Sequence, residues 1–130
     1  MKYLIMFTAL WVVLTSAIGA AGSLSESEKQ FLAVYEKART ALAADDLSGA
    51  KAAANDLGSE GADLAKSNSL KEARAAFEKL GDKAKQLATG QSGYYVAHCP
   101  MLKKDWVQTS EKIANPYYGK EMASCGEIKK

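Results

Sequence analysis

The chain has 130 residues, 48% of them hydrophobic and 25% charged, with a formal net charge of +2 at pH 7. A chain of this length builds one domain around one modest core. Its lysines are interleaved with acids instead of clustered, which leaves no electrostatic case for a nucleic-acid partner.

Residues 1–22 read as a secretory signal peptide. Lys2 gives a short positive start, an apolar run follows from Leu4, and small residues gather at Ala20, Ala21 and Gly22 before the polar Ser25-Glu26-Ser27-Glu28. Cleavage near Ala21 or Gly22 predicts a single periplasmic domain over 23–130, in a compartment that permits disulfides, with no membrane segment retained. Left uncleaved, the same run is just long enough to act as an anchor.

The body, 23–90, is predicted to be helical. Ser25 and Glu28 form a capping-box pattern, and Phe31, Tyr35, Ala38 and Leu42 then recur on one helical face. After Ala44-Asp45-Asp46, a second helix aligns Leu47, Ala50, Ala54, Leu57 and Leu64. Gly58 and Gly61 predict a kink or break within it. Ser69 and Glu72 open a third helix carrying Leu70, Ala73, Phe77, Leu80, Ala84 and Leu87. The expected fold is all-α: a small up-down bundle. An irregular tail over 91–130 supplies a short extended stretch, a turn and a short helix. The run from Lys71 to Lys85 reads as a solvated face.

The tail holds the chemistry. Once the leader is set aside, both Cys, both Pro, the only His, the remaining Trp and both remaining Met lie between His98 and Cys125. If His98–Met101 is extended, Cys99 and Met101 share a side, with Pro100 stiffening the pair. Asn115–Gly119 reads as a turn, and Lys120–Gly126 as a helical turn with Met122 and Cys125 on one face. Two Cys/Met pairs set opposite each other make a four-sulfur set that selects Cu(I), and by extension Ag(I). His98 is an adjacent candidate ligand. Trp106, Tyr117 and Tyr118 would cover the site, with Lys103, Lys104 or Lys120 offsetting its charge.

The same residues support a second reading, a Cys99–Cys125 disulfide clamping a helical interaction module that binds no metal. A third joins the two as a redox switch, with copper bound only to the reduced pair. Blue-copper and c-type haem sites fail on inventory, and no acid–base set or nucleophile motif points to an enzyme.

Cys99-Pro100-Met101, Trp106, Asn115-Pro116-Tyr117-Tyr118-Gly119, Met122 and Cys125-Gly126 resemble the signature of DUF3347, a family of exported bacterial domains. The helical opening from Phe31 to Asp46 is also similar to the family's start, so the resemblance spans nearly all of 23–130. It implies periplasmic copper or silver handling, with the components of a heavy-metal efflux system as partners. Cys99, Met101, Met122 and Cys125 are the matching sulfur positions, whereas no His before the first Cys belongs to the pattern.

Overall fold

The computed structural model describes residues 22–130. The leader reading, which falls on 1–22, therefore lies almost wholly outside the described residues. Within them, no helix is long and apolar enough to cross a membrane.

Helix α1 (Glu26–Ala43) begins at the capping box: the Ser25 hydroxyl accepts from Glu28 N at 3.2 Å, and the Glu28 carboxylate accepts from Ser25 N at 2.7 Å. It ends where Asp45 turns left-handed (φ 58°), and Asp46 then caps α2 (Leu47–Asn55) by accepting from Gly49 N at 2.8 Å. Gly58 breaks the second helix as expected, with φ 57°, and a 3-10 turn over Gly58–Gly61 leads into the short α3 (Ala62–Ala65). Helix α4 (Leu70–Ala88) starts at Ser69, whose hydroxyl accepts from Glu72 N at 3.1 Å. Glu72 completes only half of the predicted box, because its carboxylate accepts from Asn68 N instead of Ser69 N.

The helices close on a core of Phe31, Leu32, Tyr35, Leu42, Leu64 and Phe77, all nearly or fully buried. Tyr35 and Phe77 stack across α1 and α4 with ring centroids 4.4 Å apart. Ala38, Ala50, Ala54, Ala73 and Ala84 are buried at the same interfaces, where small side chains let backbones approach. Burying a residue of Phe77's size stabilises the fold by about 1.5–3 kcal/mol.

The all-α expectation is wrong. Strands β1 (Tyr95–Cys99), β2 (Lys104–Gln108) and β3 (Glu127–Ile128) form an antiparallel sheet in the order β2-β1-β3. The molecule is therefore mixed α and β: the expected extended stretch is strand β1, and it pairs with β2 and β3 into a sheet packed on the helices. Its register pairs Ala97 with Trp106, His98 with Asp105 and Cys99 with Lys104, and sets Ala97 opposite Ile128. Trp106 is wholly buried, edge-on to Tyr117 (6.3 Å between centroids), and Tyr117 in turn tilts against Phe77. This aromatic run joins the sheet to α4, and Tyr35 adds a hydroxyl that accepts from Val107 N at 3.4 Å.

Candidate functional site

Cys99 is the last residue of β1. Strand alternation sends it to the buried face with Ala97, and both are fully buried. Its neighbour in space is Cys125, 26 positions along the chain, with the two Sγ atoms 3.8 Å apart. Both thiols are free, and a disulfide bond would bring the sulfurs to about 2.05 Å. Cys125 is half-buried and lies just before β3.

Cys125 is held by backbone contacts, which account for its placement. Its N–H donates to Met122 O at 3.0 Å, closing the turn that follows the 3-10 helix Lys120–Met122. The Asn115 amide donates to Cys125 O at 2.8 Å, while its oxygen accepts from Tyr117 N at 2.8 Å. Asn115 N donates to Ala123 O as well, so one fully buried side chain and its backbone tie the Asn-Pro-Tyr-Tyr-Gly loop to the Cys125 segment. Gly126 has φ 149°, and a Cβ there would sit 2.7 Å from the Trp106 ring. A side chain at 126 would therefore push the segment off the sheet.

The loop is anchored in turn to the helices by Arg74. Its guanidinium donates to Pro116 O at 2.8 Å, Leu42 O at 2.9 Å and the Asp45 carboxylate at 2.7 Å. Gly119 passes this clamp with φ 72°, where a Cβ would collide with the Asp45 carboxylate. Bonds from Arg74 and from Lys120 N hold the Asp45 carboxyl below its ordinary range.

The predicted ligands separate in the structure. The two cysteines come together, but β1 stops at Cys99, and Met101 falls in the turn to β2. Alternation therefore does not carry to Met101, which is 66% exposed while Cys99 is buried. Met122 ends the 3-10 turn and is 37% exposed. These two thioethers are the exposed large hydrophobic side chains among the described residues.

His98 does not join the thiols. It faces the opposite side of β1 from Cys99, and its Nδ1 contacts the Asp105 carboxylate at 2.6 Å. Lys129 and Lys85 also donate to that carboxylate, at 3.1 and 3.4 Å. Burial opposes ionisation of Asp105, but the bonds from His98, Lys129 and Lys85 outweigh it and hold the carboxyl below its usual range. Among the described residues, no three His, Cys, Asp or Glu side chains converge as a metal-ligating group.

Trp106 and Tyr117 belong to the core wall, and the Trp106 ring backs the Gly126 segment. Lys104 is committed to Glu78 at 2.6 Å and lies over the Tyr117 ring, whereas Lys103 and Lys120 are exposed.

Asn115, Asp105 and Arg74 were absent from the candidate residues. The Asn-Pro dipeptide signalled a turn without showing what its side chain would hold. Arg74 is embedded in a run that reads as solvated surface.

Chemically, the pair is a dithiol with one buried arm and one accessible arm. Loss of hydration, then the adjoining Cys99 sulfur, push the Cys125 thiol above the usual thiol range. Two thiolates this close repel each other, and a cation between them reverses that sign. In comparison with known proteins, the chain matches no family model, no curated protein and no solved structure.

Proposed function

We propose that the protein binds a soft monovalent ion, Cu(I) or Ag(I), at Cys99 and Cys125. It holds the ion in the periplasm, or passes it to the components of an efflux system, and catalyses no reaction. The observation that carries this reading is the pair of free thiols 3.8 Å apart, one buried and one reachable. With metal–thiolate bonds of about 2.3 Å, that separation subtends about 110° at the ion. Such a bent pair leaves one side of the ion open to further ligands. Met101 and Met122 stand on exposed turns two residues after Cys99 and three before Cys125, and their thioethers, of matching softness, would swing in to the bound ion. Lys103 and Lys120, in the same turns, offset the negative charge of a dithiolate around a monovalent ion.

The test is a Cu(I) titration of the reduced 23–130 chain against a chromogenic chelator, with reactive thiols counted before and after. One equivalent bound, with both thiols silenced, is the expected result. Met101→Leu and Met122→Leu should each weaken binding by on the order of tenfold. Their folding stability should change by less than about 0.5 kcal/mol, because both side chains are exposed. Failure of the reduced protein to compete for Cu(I) would leave the disulfide-clamped interaction module, which those two substitutions should not affect.

A further inference from the structure

We infer that Cys99 and Cys125 form a thiol–disulfide gate on the metal site, in which oxidation of the metal-free pair by a disulfide-bearing partner closes the site to the ion and reduction reopens it. The inference rests on the metal reading of this same pair and adds its regulation and its partner chemistry.

Three observations carry it. The sulfurs are already in contact at 3.8 Å, so bond formation needs an approach of only about 1.8 Å. Their accessibilities are unequal, Cys99 being fully buried and Cys125 half-buried, which fixes the order of events. Finally, the two are held with unequal firmness. Cys99 sits in a strand paired along its length to β2, whereas Cys125 lies in an irregular stretch between a single 3-10 turn and a two-residue strand. The closing movement therefore belongs to Cys125.

The exchange runs in two displacements. The Cys125 thiolate attacks one sulfur of an incoming disulfide, forming a mixed disulfide and releasing the first partner thiolate. The Cys99 thiolate then attacks Cys125 Sγ, forming the Cys99–Cys125 bond and releasing the second. Two electrons pass to the partner disulfide, and the two protons of the protein thiols go to the released thiolates. The product has no thiolate left to bind a soft ion. Conversely, an ion held between the sulfurs occupies the lone pairs needed for attack, so the loaded protein resists oxidation.

Oxidised glutathione is the probe, applied to the 23–130 chain with and without one equivalent of Cu(I). The metal-free protein should lose both thiols and the mass of two hydrogens while retaining no adduct. Its Cu(I) affinity should drop by at least about 100-fold and return on reduction. The loaded protein should keep its mass over the same period. Cys99→Ala keeps that buried position apolar and should trap the glutathione adduct on Cys125, whereas Cys125→Ala should leave Cys99 unmodified.

Three results would overturn the gate while leaving the metal site standing: Cu(I) binding without any intramolecular disulfide, an adduct that the wild type never resolves, or an oxidised form that binds Cu(I) as tightly as the reduced one. A reduced protein that binds no Cu(I) would remove the metal reading and the gate together, even if the disulfide formed.

Discussion

Cys125 differs from Cys99 in ways that set how the pair titrates. Its thiol is pushed upward by lost hydration and by the sulfur beside it, so it carries its proton at neutral pH. A soft ion must displace that proton, and affinity for Cu(I) should therefore rise with pH. The expected slope is roughly tenfold per pH unit for each proton released, levelling once the pH passes the raised Cys125 value. Chelator competition at several pH values measures it, and a flat profile would mean that Cys125 is not a ligand. The same shift acts on the metal-free fold with a defined sign. A raised value stabilises the folded state fully below the unfolded thiol range, and that contribution disappears as pH rises through the folded value. Residue identity alone pointed to the sulfur pair, because nearly all the soft and special side chains fall in one tail. Strand alternation also shows why His98 stands apart: the residue before an inward Cys99 on a strand faces outward.

At the scale of elements, helices were legible and the sheet was not. Capping residues and three-four spacing mark α1 and α4 directly, and Gly58 marks the break after α2. Strand β2 hides because Trp106, Val107 and Gln108 are buried in succession, with no period of two for a sequence pattern to expose. Strand β3 is two residues long and exists only because β1 receives it, a long-range fact with no local signal. The Asn115 clamp is equally non-local, since its amide bonds a carbonyl ten positions away. Asn115→Ala removes that bond and the one from Tyr117 N, leaving buried backbone groups without partners. The expected cost is about 1–3 kcal/mol, read as a shift of the denaturation midpoint. Cu(I) affinity should fall as well, because nothing else holds Cys125 O in place on that side. Unchanged affinity in a folded Asn115→Ala protein would show that β3 and the bond from Cys125 N to Met122 O suffice to position Cys125.

Across the whole molecule, the site is a junction between a helical body and a sheet, fastened on both faces. On the inner face, Arg74 and Asn115 connect α1, α4 and the loop to the Cys125 segment. On the outer face, Asp105 of β2 joins His98 of β1, Lys85 of α4 and Lys129 just beyond β3. His98, first read as a candidate ligand, thus belongs to the fastening that keeps β1 and β3 aligned behind the thiols. The Asp105 carboxyl is held below its ordinary range, so its contribution is present above the unfolded carboxylate value and is lost as pH falls through the folded one. Asp105→Asn keeps the shape but retains no charge for three cationic or donor partners. It should lower stability at neutral pH by about 1–3 kcal/mol, the range for charge-assisted hydrogen bonds. It should also flatten the loss of stability that the wild type shows as pH falls from about 5 through the lowered Asp105 value. Denaturant titrations of both proteins across that window measure the difference. An unchanged acid slope in Asp105→Asn would transfer the acid-sensitive fastening to Asp45, whose carboxyl is likewise lowered by its bond to Arg74 on the opposite side of the site.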